Sequence, residues 1–164
     1  MTVLVDTGVF FAYYSLRDKY HMDSVALVIH MAEGRWGRAY ITSHVLDETL
    51  NILKYRVSSS TAQAFIEAFI DRGIVRVIHA DRETEEEALK LFRENIGRRG
   101  FSYTDAVTVA TARRYGITHL LSYDVRSFTG LVEKITGPGY WDTLPSQEKD
   151  RILGLLRQRR KRHT

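Results

Sequence analysis

The sequence predicts an α/β fold, a three-layer α/β/α sandwich built around a mainly parallel sheet. Short apolar runs typical of strands alternate along the chain with longer segments of helical periodicity. Strands that alternate with helices usually pair in parallel, and the intervening helices cover both faces of the sheet. A chain of 164 residues has the size of one domain, and 44% apolar residues suffice for a full core.

Five short runs of β-branched, aromatic and other apolar residues are predicted as strands. They are residues 2–6, 38–42, 74–79, 119–122 and 131–135. Helical periodicity fills most of the intervals. The predicted helices are residues 9–16, 22–33, 44–57, 62–70, 81–95, 104–115 and 146–159. The predicted order is β-α-α-β-α-α-β-α-α-β-β, followed by the last helix.

Polar residues and glycines mark several helix ends. Ser43 and Ser102 are expected to cap the helices that follow them, because a side-chain oxygen can accept from free backbone N–H groups. Ser102 with Asp105 three residues later resembles a capping box. Gly34 and Gly116 are expected to end the helices that precede them.

Positive charge is concentrated at the C-terminus. Residues 149–164 hold seven Lys and Arg against one Asp, a net charge of +6, whereas the whole chain carries +4. Residues 1–148 therefore carry −2. We divide the chain into a domain of residues 1–145 and a basic C-terminal helix or tail of residues 146–164. Such a tail suits a polyanion through counterion release, and it suits a solvated terminus equally well.

Composition excludes several classes of protein. The chain has no cysteine, which excludes disulfides and thiolate metal sites. No stretch approaches the ~20 apolar residues of a membrane span. A predicted strand begins at the second residue, which does not fit a signal peptide, so a cytoplasmic protein without a membrane partner is expected.

Four carboxylates lie at predicted junctions between strands and helices. They are Asp6, Glu48, Asp105 and Asp124. The carboxyl ends of parallel strands share one edge of a sheet, so these acids are expected to meet there. Clustered carboxylates repel one another unless a cation neutralises them. The sequence therefore predicts a divalent-metal site, and phosphodiester hydrolysis is a reaction that often uses one.

Each acid alone has a simpler interpretation. Asp6 and Asp105 can stabilise a helix N-terminus, and Asp124 can be a turn residue. Glu48 can be a solvated charge, and Asp47 competes with it because the helical pattern places both at the edges of the apolar face. The ordered set at strand ends is much harder to explain by chance than any one member.

Three other kinds of site are excluded by their motifs. Haloacid-dehalogenase-like phosphatases need a second Asp two positions after the first, and Gly8 stands there. The G-x-G-x-x-G motif of a dinucleotide site is absent from this turn. The six histidines show no H-x-x-H or H-E-x-x-H spacing, so a histidine metal site is not expected.

The segments around the four acids resemble the signature segments of PIN-domain ribonucleases. They are residues 3–8 (VLVDTG), 43–48 (SHVLDE), 103–106 (YTDA) and 121–128 (LSYDVRSF). The resemblance spans about residues 2–145 and is strongest to VapC-type toxins of bacterial and archaeal toxin–antitoxin pairs. It implies a PIN-like, or 5′-nuclease-like, sandwich. By family position Glu48, not Asp47, is the second acid.

The resemblance implies an endoribonuclease that depends on Mg²⁺ or Mn²⁺ and cleaves single-stranded RNA. Asp6, Glu48, Asp105 and Asp124 are the expected metal ligands and catalytic acids. Thr104 is expected beside them, bonded to a carboxylate or a phosphate oxygen. A homodimer and a small antitoxin that blocks the site are also implied. Two alternatives stay open: a housekeeping RNA-processing nuclease, and a non-catalytic dimeric scaffold that binds RNA or protein.

Cationic and aromatic residues near the predicted site are candidates for holding RNA. They are Arg17, Lys19, His21, Arg126, Tyr13 and Tyr14. Stacking of a base on an aromatic ring contributes about 1–3 kcal/mol and tolerates sequence variation. The Tyr13–Tyr14 pair follows Phe10 and Phe11, so core packing explains it equally well.

Overall fold

The sheet has five parallel strands. The structure, a computed structural model, describes residues 1–161 apart from the side chain of Arg160. The strands are β1 (Thr2–Val5), β2 (Arg38–Thr42), β3 (Val75–Ile78), β4 (His119–Leu121) and β5 (Lys134–Thr136). Their order across the sheet is β3-β2-β1-β4-β5, and every neighbouring pair is parallel. The first strand therefore lies at the centre of the sheet.

Helices connect the strands and cover the sheet. Those of the described residues are α1 (Thr7–Tyr14), α2 (His21–Ala32), α3 (Ser43–Arg56), α4 (Ser59–Phe65), α5 (Arg82–Glu94), α6 (Tyr103–Tyr115), α7 (Val125–Phe128) and α8 (Ser146–Lys161). A π-helix, Ile66–Asp71, continues α4, and a 3₁₀ turn, Trp141–Thr143, precedes α8. Among residues 1–161 no helix has the length and apolar character needed to cross a membrane.

Alternating side chains of β1 pack into two cores, one on each face of the sheet. Val3 and Val5 pack with residues of α1, α2, α3 and α4, whereas Leu4 packs with residues of α5 and α6. Successive strand residues point to opposite faces, so a wholly apolar strand is buried on both sides. These two cores confirm the predicted three-layer α/β fold with a parallel sheet.

The C-terminal helix packs on the outer side of α2. Ile152 is fully buried and packs with Val25 and Ala26 of α2. Arg151 forms an ion pair with Glu33 at the end of α2. The helix thus lies on the domain over the length that the structure describes, and residues 162–164, part of the predicted basic tail, lie outside the described residues. Division of the chain at residue 145 stays a prediction.

Two predictions about chain organisation were wrong in detail. The fifth strand is Lys134–Thr136 instead of residues 131–135, and the short helix α7 lies before it. A four-residue helix is too short to produce a recognisable period, so the sequence pattern suggested two strands in succession. Ser43 was expected to cap α3, but it is the first residue of the helix, and Thr42 is the cap because its hydroxyl accepts from the backbone N–H of Val45.

Candidate active site

The four acids lie at one edge of the sheet. Asp6 directly follows β1, and Asp124 follows β4, which pairs with β1. Glu48 lies in the second turn of α3, the helix that directly follows β2. Asp105 lies in the first turn of α6, which leads back to the start of β4, so the N-terminus of α6 returns to the edge where β1 and β4 end.

Asp6 is held by both the turn that follows it and the neighbouring strand end. Its Oδ1 accepts from the backbone N–H of Thr7 at 2.8 Å. Its Oδ2 accepts from the hydroxyl of Ser122 at 2.7 Å, a contact between residues far apart in sequence. Asp6 is 8% exposed and Ser122 is fully buried. The carboxylate is therefore fixed in position at the centre of the edge.

Asp105 caps its own helix and also faces the other acids. Its Oδ2 accepts from the backbone N–H of Ser102 at 2.7 Å, while the Ser102 hydroxyl accepts from the backbone N–H of Asp105 at 3.1 Å. This reciprocal pair is the predicted capping box. The capping interpretation and the clustering of acids are therefore both correct for this residue.

Asp124 caps α7 and is linked to Asp6 through one serine. Its two carboxylate oxygens accept from the backbone N–H and the hydroxyl of Ser127, at 3.1 and 2.6 Å. Its own backbone N–H donates to the Ser122 hydroxyl at 3.0 Å. Ser122 thus bonds to both Asp6 and Asp124 and fixes their relative positions.

Glu48, not Asp47, turns toward the other acids. The Thr7 hydroxyl donates to Glu48 Oε2 at 3.2 Å, and Thr7 is the residue after Asp6. The Asp47 carboxylate instead accepts from the side-chain amide of Asn51, one turn along α3, at 3.1 Å. Thr104, the remaining predicted residue, is half-buried in the first turn of α6 and lines a groove together with Glu48.

The acids perturb one another electrostatically. Burial, followed by the charge of Asp105, raises the pKa of Asp6 to about 7, although its bond from Ser122 acts in the opposite direction. Burial also raises the pKa of Asp105 to about 6, and the charges of Asp124 and Glu48 contribute. All four carboxylates therefore belong to one interacting cluster in which negative charge is unfavourable.

The cluster fits a hard divalent cation in chemistry, but its side chains are not arranged as a ligand set. Carboxylate oxygens are the ligands that Mg²⁺ and similar ions prefer, and a cation would relieve the repulsion that raises these pKa values. Within residues 1–161, however, no three His, Asp or Glu side chains are arranged to hold one ion together. Both carboxylate oxygens of Asp6 and of Asp124, and Oδ2 of Asp105, accept hydrogen bonds from protein donors.

A PIN-domain family model matches residues 3–131, which include all four acids. The chain belongs to the PIN-domain family. Its VapC-type resemblance is also confirmed, because the chain is 43% identical to a VapC ribonuclease of Archaeoglobus fulgidus over 159 residues, 97% of each chain.

Solved structures share this PIN fold. The crystal structure of VapC20 from Mycobacterium tuberculosis, described as a toxin that cleaves the sarcin–ricin loop, is 27% identical with a TM-score of 0.67, covering 83% of this chain and 99% of that one. VapBC-1 from nontypeable Haemophilus influenzae is 14% identical with a TM-score of 0.59, covering 87% of this chain and 100% of that one. The second likeness concerns the fold alone.

Several residues of this PIN-domain edge were not predicted as site residues. They are Thr7, Arg98, Ser122, Ser127 and Gly137. Arg98 donates to the backbone carbonyl of Ser127 at 2.9 Å and so lies next to the helix that Asp124 caps. A Cβ on Gly137 would lie 2.0 Å from the backbone oxygen of Ser122, so only glycine allows this approach. The signal that could have indicated Thr7, Ser122 and Ser127 is that they lie within the segments that resemble the family.

The residues predicted to hold RNA lie in different surroundings. Tyr13 and Tyr14 pack against the apolar core at the end of α1 away from Asp6, as the packing interpretation expects. His21 Nδ1 lies 2.8 Å from the backbone oxygen of Ala12. Lys19 lies over the ring of Tyr20, with its ammonium 4.7 Å from the centroid. Arg17 and Arg126 are exposed.

Proposed function

We propose that this PIN-domain protein is a divalent-metal-dependent endoribonuclease that hydrolyses phosphodiester bonds of single-stranded RNA in the cytoplasm. The observation that carries the proposal is the cluster of four acids at one edge, in which two pKa values are raised toward neutrality. The likeness over nearly the whole chain to a VapC ribonuclease supports the same reaction.

In this proposal Asp6, Asp105 and Asp124 hold Mg²⁺ or Mn²⁺, directly or through water, and Glu48 completes the set. The ion would activate the attacking water and stabilise negative charge on the phosphate. The protein positions the acids: the Ser122 hydroxyl fixes Asp6, and the Thr7 hydroxyl orients Glu48. Thr104 lines the same groove as Glu48, which supports a contact from Thr104 to a phosphate oxygen.

The same proposal includes a toxin role, an antitoxin partner and a homodimer. The likeness to VapC20, described as a toxin, supports a toxin role, and the family resemblance adds a small antitoxin that blocks the site. The family resemblance adds a homodimer. Light scattering of the purified protein tests the dimer. Growth arrest on expression, relieved by a neighbouring small open reading frame, tests the antitoxin and separates this role from housekeeping RNA processing.

Cleavage of labelled single-stranded RNA tests the chemistry. The wild-type protein should cleave with Mn²⁺ or Mg²⁺ and stop when EDTA is added, and Asp6→Asn should be inactive. Glu133→Gln is the matched control, because Glu133 is exposed and lies just before β5, at the opposite edge of the sheet. Cleavage that continues in EDTA, or that survives in Asp6→Asn, would contradict the mechanism. RNA binding without any cleavage would favour the non-catalytic scaffold.

A further inference from the structure

A groove runs along α3 and starts at the acid cluster. Glu48 and Thr104 line one end of it, and Tyr55 and Arg56 line the other. Tyr55 lies seven positions after Glu48, which places them on nearly the same side of the helix and about 10 Å apart along its axis. Any RNA strand with its phosphate at the acids has this groove directly beside it.

Tyr55 presents its ring to solvent in this groove. The side chain is 75% exposed, although it is large and aromatic. The Lys54 ammonium lies 5.4 Å from the ring centroid. Tyr13 and Tyr14, by contrast, make ring contacts with each other and with Phe69 in the core. Tyr55 is thus an aromatic surface beside the site that is available to a nucleobase, and base stacking accepts any sequence.

The charges in the groove favour a definite placement of an RNA strand along α3. Arg56 is exposed at the end away from the acids, next to Lys54. Asp47 and Glu48 lie at the other end, so a phosphate without a cation is repelled there and attracted toward Arg56. Asn51, between the two ends, donates its side-chain amide to Asp47 at 3.1 Å, which partly offsets that negative charge.

We propose that this face of α3 binds the nucleotide next to the cleaved bond, with Tyr55 stacking on its base and Arg56 contacting its phosphate. The proposal rests on the ribonuclease activity proposed above and adds a substrate subsite to it. Tyr55 and Arg56 hold the strand and take no part in the chemical step, so they determine affinity for RNA and not the rate in the bound complex.

The full-length protein can be tested with a fluorescein-labelled, mixed-sequence single-stranded RNA. Fluorescence anisotropy in EDTA measures affinity without cleavage, and single-turnover cleavage with Mn²⁺ at saturating protein measures the chemical step. Tyr55→Ala should weaken binding by about 5- to 150-fold, the range for loss of one stacked base. Tyr55→Phe keeps the ring and should stay within about twofold of the wild type.

Arg56→Gln tests the phosphate contact separately. Loss of one phosphate contact should reduce the slope of log affinity against log salt by about 0.7, the value for single strands. Single-turnover rates at saturation should match the wild type in both variants. Tyr115→Ala is the control for Tyr55→Ala, because Tyr115 is 54% exposed at the C-terminal end of α6, the end opposite Asp105. Equal thermal midpoints would show that each variant is folded.

The outcomes separate this subsite from the proposed activity. If the wild type cleaves RNA while Tyr55→Ala and Tyr115→Ala bind it equally well, the subsite is wrong and the ribonuclease stands. Equal weakening by Tyr55→Phe and Tyr55→Ala would reject stacking. Loss of a protein partner with unchanged RNA affinity would assign the groove to that partner and overturn the inference. A wild type that neither binds nor cleaves RNA would overturn both proposals.

Discussion

Replacing Asp6 with Asn should stabilise the metal-free protein at pH 8 while it abolishes cleavage. Asp6 ionises in the folded protein only near pH 7, because burial and the charge of Asp105 disfavour its anion. Its folded-state pKa is thus higher than its ordinary value of 3.8, and the folded state binds more protons between these two values. The contribution of Asp6 to the stability of the wild type therefore falls as pH rises from about 4 to 7 and is then constant.

The pKa shift of Asp6 sets the size of the stabilisation in Asp6→Asn. A change from 3.8 to about 7 corresponds to about 4 kcal/mol at about 1.4 kcal/mol per pKa unit. The Asn amide nitrogen cannot accept, so the variant loses one of the two bonds from Thr7 and Ser122, at a cost of about 1 kcal/mol. The net gain should be about 3 kcal/mol at pH 8 and less than about 1 kcal/mol at pH 5, because pH 5 lies only slightly above the ordinary pKa of 3.8.

Urea unfolding with EDTA at a series of pH values measures this difference. The gain at pH 8 corresponds to a rise of about 5–10 °C in thermal midpoint for a domain of this size. Asp71→Asn, at an exposed carboxylate, is the control. A difference between Asp6→Asn and the wild type that does not grow from pH 5 to pH 8 would refute the reasoning, and so would a variant less stable at pH 8.

Three further outcomes are expected. Mn²⁺ should raise the thermal midpoint of the wild type, by an amount equivalent to about 2.7 kcal/mol when its concentration is one hundred times the dissociation constant. The rise should be far smaller in Asp6→Asn, and equal rises in the two proteins would mean that the ion binds elsewhere. Glu48→Gln should slow RNA cleavage by about 10- to 100-fold, whereas Glu133→Gln should not, and equal rates would remove Glu48 from the site. Gly137→Ala should lower the free energy of unfolding in urea by about 1–3 kcal/mol, because its Cβ meets the backbone of Ser122. Gly154→Ala, a helical control with open space around it, should instead be neutral or add up to about 1 kcal/mol.

The parts of the fold that depend on local patterns could be predicted from the sequence. β1 is apolar on both faces because it is central and covered on both sides, and Asp6 ends that run. The Ser102–Asp105 box needs only a three-residue spacing. The choice of Glu48 over Asp47 came from the family resemblance, because both lie at the margin of the apolar face and the helical phase did not separate them.

The parts that depend on distant contacts could not be predicted. Ser122 bonds to a carboxylate 116 positions earlier, and nothing in its neighbours indicates this. The sequence of α8 is compatible with a solvated basic segment. In the structure α8 packs on α2, because Ile152 is buried and the Glu148 carboxylate lies 2.7 Å from Nε2 of the buried His30. These partners are fixed by how the elements come together, and a single sequence records only the side chains.

The central position of β1 has a consequence for the growing chain. The first strand to leave the ribosome pairs on one side with β4, which begins at His119. A nascent chain that stops short of β4 lacks both Ser122, which bonds to Asp6, and Asp124. Such pairings between distant segments form late in folding. The acid cluster is therefore complete only after most of the chain has been synthesised.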